Sequence, residues 1–286
     1  MTIDMRFLAE AEKLAASFPP LMVEALRVAA TVAPGAHGRR RVGPGESFWQ
    51  FRSYEPTDPA RMIDWRKSAK SDNTYVRERE WEAAQTVFLW CDRSGSMDYK
   101  SAKDLRRKQD YADLMLLALS ALLLDGGERV ALLGSDFPPF RGTASFPSLA
   151  EAALARDLPM AQARPLPQNS RIVLIGDFLF PAERLENFLS SVGRGRFGGE
   201  LVQIMDPAEM DFPFGGHIRF EGAEGEDALL TKEANSLRDE YLTRINQHRS
   251  RLEAAARGYG LGFHCVTTQT PPEKALLDLY LSLEKG

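Results

Sequence analysis

Thr86-Val-Phe-Leu-Trp-Cys91-Asp92-Arg93-Ser94-Gly95-Ser96 sets six residues without a charge directly before a loop of one carboxylate, one guanidinium and two hydroxyls. An unbroken apolar run of this length, rich in β-branched and aromatic residues, reads as a strand covered on both faces, as parallel strands are. Four further runs repeat the pattern: Arg129-Val-Ala-Leu-Leu133, Arg171-Ile-Val-Leu-Ile175, Glu200-Leu-Val-Gln-Ile-Met205 and Gly262-Phe-His-Cys-Val-Thr267. Between and after them the spacing of apolar residues predicts helices over 102–124, 147–156, 181–192, 231–257 and 273–284. Strand and helix in alternation require long crossovers, which place helices on both faces of a mostly parallel sheet. The expected fold class is therefore α/β, a doubly wound, Rossmann-like sheet over residues 83–286.

Two turn-rich pieces interrupt that rhythm. Asp136 to Phe146, with Pro138, Pro139 and Gly142, is too short for a crossover and predicts a tight antiparallel edge. Pro207 to Glu226 predicts a hairpin with Gly215-Gly216 as its turn. Upstream, Met1 to Glu82 reads as a small α+β appendage. It begins with an amphipathic helix over Met1 to Lys13 and a second helix over Leu21 to Val32, followed by a basic, glycine-rich loop containing Arg39-Arg40-Arg41. Two strands near 47–54 and 74–81 then bracket a short helix near 59–69.

Composition narrows the function classes. The chain has 286 residues, 44% hydrophobic and 27% charged, with 36 basic against 40 acidic side chains. A net charge of -4 supplies no global cationic field to concentrate the protein on nucleic acid or anionic lipid. The longest oily stretch, Leu114 to Leu124, contains Ser120 and falls short of the roughly 18 to 20 residues that cross a bilayer. The N-terminal pattern lacks the charged-then-oily order of a secretion signal, so a cytoplasmic protein is expected. Cys91 and Cys265, each within an apolar run, read as small core residues. The four histidines lie too far apart to suggest zinc.

Asp92, Ser94 and Ser96 carry the chemistry. A carboxylate and two hydroxyls at alternate positions, in a loop leaving a strand, can turn three oxygens toward one point and suit a hard divalent cation such as Mg2+ or Mn2+. Asp177 ends the Arg171 strand as Asp92 ends the Thr86 strand, so the two carboxylates meet if those strands are neighbours where the winding reverses. The competing account makes Ser94, Ser96 and Asp177 turn and cap residues with no ligand. Gly193-x-Gly195-x-x-Gly198 leaves a helix and enters a strand, the reverse of what phosphate binding needs.

The Asp-x-Ser-x-Ser loop and Asp177 resemble the metal-ion-dependent adhesion site of von Willebrand factor A-like domains. That resemblance implies a magnesium ion held by Asp92, Ser94, Ser96, a threonine and Asp177. Thr143 is the threonine candidate, with Ser135 and Ser145 as alternatives. Upstream, Phe51-Arg-Ser-Tyr54, Asp58, Arg61-Met-Ile-Asp-Trp-Arg-Lys-Ser-Ala-Lys70 and Val76-Arg-Glu-Arg-Glu80 resemble the hallmark of the bacterial domain-of-unknown-function family fifty-eight. Its members set this hallmark just before a von Willebrand A-like domain. Physically, Arg52, Arg61 and Arg66 with Asp58, Asp64 and Glu80 read as an ion-pair lattice. The resemblance implies a non-enzymatic, metal-dependent protein-interaction module, partnered by a MoxR-type AAA+ ATPase or its client through an acidic side chain, in a chaperone-like role. The alternatives are metal-assisted hydrolysis, with Asp98 or Asp136 as base, and an interaction scaffold with an empty metal site.

Overall fold

A computed structural model of the chain describes residues 20–36, 48–55, 63–71, 73–79, 85–155, 160, 166–167, 170–193, 197–222 and 228–285. The described residues fall into two units, one holding the helix α1 (Pro20–Ala36) with the chain from Gln85 onward, the other lying within 39–84.

In the larger unit, β3 (Thr86–Cys91) pairs in parallel with β4 (Arg129–Leu132) on one side and β6 (Ser170–Gly176) on the other. Beyond β6 come β7 (Phe197–Met205) and then β10 (Leu261–Thr267), both parallel. The two-residue strand β5 (Phe140–Arg141) closes the other edge antiparallel to β4, giving six strands in the order β10-β7-β6-β3-β4-β5. The central runs are nearly all buried, which is why they carry no alternating pattern.

From β3 the chain passes through α3 (Lys108–Asp125) to β4; from β6 it passes through α5 (Ala182–Val192) to β7, in the opposite direction across the sheet. Right-handed crossovers running in opposite directions put α3 and α5 on opposite faces. Helix α3 is apolar around nearly its whole circumference and buries Leu114 through Leu124 without interruption. That burial needs neighbours beyond the sheet, and α1, α4 (Phe146–Leu154) and α8 (Pro272–Lys285) pack on it. Helix α5 packs on α7 (Arg238–Gly258), which also lies on β10.

Four expectations need correction. The second predicted helix is not part of a separate appendage: its small-residue face, with Ala25, Ala29, Ala30 and Ala33 buried, packs on α3 and α8 in the α/β unit, so the boundary at Glu82 does not divide the chain there. Helix α3 begins at Lys108 rather than near Ala102. Gly215-Gly216 is not a hairpin turn: it precedes β8 (Ile218–Phe220), which pairs with β9 (Leu229–Thr231), and Gly216 instead accepts a positive φ of 71° beside Asn235. Cys265 is exposed because β10 is an edge strand; Cys91 is buried as expected.

In the smaller unit the two predicted strands are present as β1 (Phe48–Ser53) and β2 (Tyr75–Arg79), and they pair antiparallel. Between them α2 (Trp65–Ser68) is capped by Asp64, whose carboxylate accepts the Lys67 amide at 2.9 Å. Of the anticipated ion-pair lattice, Asp58, Arg61 and Glu80 lie outside the described residues, as does the predicted helix over Met1 to Lys13.

Candidate functional site

Strand order reverses between β3 and β6, and in open α/β sheets such a reversal leaves a crevice beyond the carboxyl ends of the strands. Cys91 is level with Ile175 in the parallel register, so Asp92 comes level with Gly176 and one residue short of Asp177. The Asp92 amide donates to the Ile175 carbonyl at 2.8 Å, extending the ladder one step past the strand. A side chain at residue 176 could not be accommodated: a Cβ there would stand 2.5 Å from the Asp92 Cβ. Glycine is therefore what lets the first carboxylate sit over the β3–β6 seam.

Asp92 is 4% exposed. Its Oδ1 accepts the Ser94 amide at 2.9 Å, while its Oδ2 is buried with no hydrogen-bond partner. The Ser94 and Ser96 hydroxyls are 3.0 Å apart on the short turn that follows, anchored by the buried side chain of Met97. Burial pushes the Asp92 carboxyl above the usual carboxylate range; the Ser94 amide opposes this, and the neighbouring Asp177 adds to it. A bare, desolvated carboxylate oxygen beside two hydroxyls is a donor set for a hard cation, completed by water. Among the described residues no cluster of three or more His, Cys, Asp and Glu side chains forms a metal cage.

Arg93 faces away from these oxygens. Its guanidinium donates to the Asp113 carboxylate at 2.7 and 3.4 Å and to the Ala153 carbonyl at 2.8 Å. The loop is thereby fixed to α3 and to the end of α4.

Asp177 is fully buried, and its partner was not foreseen from the sequence. Lys108, the first residue of α3 and also fully buried, donates to Asp177 Oδ2 at 2.8 Å and to Glu209 Oε1 at 2.5 Å. Glu209 belongs to a capping box on α6 (Pro207–Asp211), where its other oxygen accepts the Asp206 amide. Asp206 in turn accepts the amides of Ala208 and Ser101. One network thus joins the ends of β6 and β7, the start of α3 and the loop after Ser96. Asp177 Oδ1 accepts the Leu179 amide at 3.2 Å across Phe178, which adopts a left-handed φ of 55° with its ring buried 6.2 Å from that of Trp90. The sequence carries no signal for Lys108, because the apolar spacing starts the helix near Ala102; with the start at Lys108, an ammonium in the first turn opposes the macrodipole and needs a local anion.

The structure does not bring Thr143 to this rim. Arg141 is level with Arg129, and Arg129 with Thr86, six residues before Asp92. At about 3.3 Å per residue that separation is about 20 Å along the strand, more than the two residues from Arg141 to Thr143 can span. Thr143 is exposed near the amino ends of the parallel strands, and Ser145 accompanies it, donating to the Gly142 carbonyl. Ser135 does follow the carboxyl end of β4, where its hydroxyl accepts the Phe137 amide. Asp98 is exposed and paired with Arg107 at 2.8 Å.

Beside the serines a cleft of about 660 Å³ opens, lined by Ser96, Tyr99, Phe212, Phe214, Phe220 and Tyr241 among others. Phe212 stacks on Phe220 at 5.8 Å and meets Tyr241 at 4.7 Å, so the wall is a continuous aromatic surface. Glu240 and Arg244, paired at 2.5 Å and largely exposed, also line it.

Among the described residues no helix is long and apolar enough to cross a membrane. Uncharacterized proteins of Mycobacterium tuberculosis (strain H37Rv, Rv1480) and Mycobacterium bovis (Mb1516) are each 25% identical to the chain over 267 residues, covering 87% of it and 83% of the relative. Two solved structures overlap 71% of the chain and 100% of their own. They are an aerotolerance-related membrane protein from Bacteroides fragilis (TM-score 0.40, 12% identity) and the conserved hypothetical protein BatB from Bacteroides thetaiotaomicron (TM-score 0.33, 14% identity). Residues 50–251, which take in most of β1, all of β2, the Asp-x-Ser-x-Ser loop, Asp177 and most of α7, match the family described as "Protein of unknown function DUF58", and the chain belongs to that family.

Proposed function

We propose that this protein is a non-enzymatic, divalent-metal-dependent protein-interaction module whose ion sits at the Asp92 rim. The observation that carries this reading is the buried, unpartnered Oδ2 of Asp92, set beside the paired hydroxyls of Ser94 and Ser96. Asp92, Ser94 and Ser96 would hold the ion, with Asp177 behind them; all four stand at the strand-order reversal. Oxygen donors with few carboxylates suit Mg2+ or Mn2+ and leave the ion electrophilic enough to take a carboxylate from a partner. The strand order, with its single antiparallel edge, supports the resemblance to von Willebrand A-like domains. The aromatic cleft that shares Ser96 with the rim supports a protein partner, since it offers apolar contact next to the place where the acidic side chain would bind. On the family resemblance, that partner is a MoxR-type AAA+ ATPase or its client, met in the cytoplasm in a chaperone-like role.

A second reading is favoured by one observation. Lys108 already supplies Asp177 with a cation, as an interaction scaffold without metal would require.

Thermal melting with and without Mg2+ or Mn2+ separates the two. An ion that binds only the folded state raises the melting temperature by linkage, by about 2.7 kcal/mol in stability at a hundredfold excess over Kd. The shift is expected in wild type and absent in Asp92→Ala; no shift in wild type favours the scaffold. Capture of partners from a lysate that persists unchanged in chelator would refute ion-mediated binding.

A further inference from the structure

We infer that Lys108 is the tuning residue of the rim: it holds Asp177 out of direct coordination and sets the affinity of the cation site through that carboxylate. The inference rests on the Asp92 rim being a cation site and deepens that reading.

The argument is one of charge and occupancy. Asp92, Asp177 and Glu209 bring three carboxylates to the crevice; among the described residues Lys108 is the cation hydrogen-bonded to two of them, while Arg184 acts on Asp92 through space. Its ammonium binds Asp177 and Glu209 and makes no hydrogen bond to Asp92. Both oxygens of Asp177 are thereby engaged, Oδ2 by Lys108 and Oδ1 by the Leu179 amide, whereas Asp92 keeps one oxygen free. A divalent ion arriving at the rim finds an unpartnered oxygen on Asp92, beside the Ser94 and Ser96 hydroxyls, and none on Asp177. Coordinating Asp177 directly would set a dication against a fully buried ammonium on the same carboxylate, and the repulsion in that desolvated place weighs against it. Asp177 therefore acts on the ion through water or through space, while the ammonium repels it.

Two substitutions in one cluster should move affinity in opposite directions. Lys108→Met removes the repelling charge and frees Asp177 Oδ2, so Mg2+ and Mn2+ bind about tenfold more tightly or better. Glu209→Gln removes an anion and leaves the ammonium to Asp177 alone, so binding weakens several-fold. Isothermal titration of the full chain with each metal, after chelator treatment, reads both, with metal-free melting curves recorded alongside. A general loss of structure would lower affinity in both variants and cannot produce opposite signs. Where Lys108→Met alone does not fold, the double variant Lys108→Met/Glu209→Gln is compared with Glu209→Gln, and tighter binding in the double variant is the same result.

Equal affinity in wild type and Lys108→Met overturns the role of Lys108 and leaves the cation site standing. Binding in neither overturns both. Binding in Lys108→Met but not in wild type upholds Lys108 in its strongest form, an internal cation standing in for the metal, and refutes metal dependence of the natural protein.

Discussion

Gly176 and Asp92 share a space that holds one side chain: a Cβ on Gly176 would lie 2.5 Å from the Asp92 Cβ and 3.1 Å from its Oδ2. Both sit at the ends of paired central strands, so neither backbone can retreat without breaking the ladder. Gly176→Ala is expected to cost about 1 to 3 kcal/mol of stability, the usual range for overpacking, and to displace the Asp92 carboxylate. Urea denaturation measures the first effect. Loss of the Mg2+-induced melting shift, in a variant still folded, measures the second.

Asp92 is a charge with half its hydrogen bonding missing, and removing the charge should help the metal-free fold. Asp92→Asn removes the buried charge while its amide inherits the missing partner, so a gain of about 1 kcal/mol at neutral pH is expected. The pH dependence has a definite sign. With the folded pKa raised above the unfolded value, the folded state takes up its proton first as pH falls. Between the two pKa values the unfolded state binds fewer protons, so this group's contribution to stability declines as pH rises and its penalty is complete above the folded pKa. Denaturation midpoints across that window should show the slope in wild type and lose this component in Asp92→Asn.

Asp177 carries the opposite sign although it is the same residue type, one register step away. It neutralises a fully buried ammonium, so Asp177→Asn leaves Lys108 with Glu209 alone and is expected to cost about 3 to 5 kcal/mol. Chemical denaturation of the two asparagine variants side by side checks the pair. Equal effects would mean that the buried ion pair does not distinguish these carboxylates.

The difference between the two aspartates marks how far the sequence is legible. The central strands β3, β6 and β7 can be read because they are largely buried and so are written as apolar runs, whereas β10, at the edge, is only partly covered. The alternation with helices gives a mostly parallel sheet but not the order of its strands; the pairing of β3 with β6 is what brings Asp92 and Asp177 together. What pairs with each carboxylate does not follow. Lys108 comes from a helix start and Glu209 from a one-turn helix, each far from Asp177 in sequence, and a lysine at a helix end ordinarily reads as solvated. The late start of α3 has the same origin: residues 98–107 do not extend the helix because Tyr99 and Ser101 are drawn to the network, with the Ser101 amide donating to Asp206. Thr143 was misplaced because a hydroxyl in a turn carries no mark of which end of the sheet the turn caps.

The remaining prediction concerns what holds the loop still. Arg93 reaches Asp113 on α3 and the Ala153 carbonyl on α4, and Gln109 adds a bond to Asp113 at 3.2 Å. Burial pushes the Asp113 carboxyl up, and Arg93 is the strongest influence holding it down. Arg93→Met therefore leaves Asp113 with the Gln109 amide and the Cys91 thiol, both uncharged, against the cost of desolvation. About 2 to 3 kcal/mol is expected at neutral pH, below the range for a wholly buried pair because Arg93 keeps some contact with water. Asp113→Asn in the same chain should recover most of it, since the loss lies in an unpaired charge and not in packing. A double-mutant cycle by urea denaturation returns the coupling, expected at 1 kcal/mol or more for groups in contact. In Arg93→Met the Asp113 pKa moves further up, so that variant recovers stability on acidification from neutral pH toward the carboxylate range, which the double variant does not. A coupling near zero, or a loss independent of pH, would show that Arg93 fixes the loop by its bond to Ala153 alone.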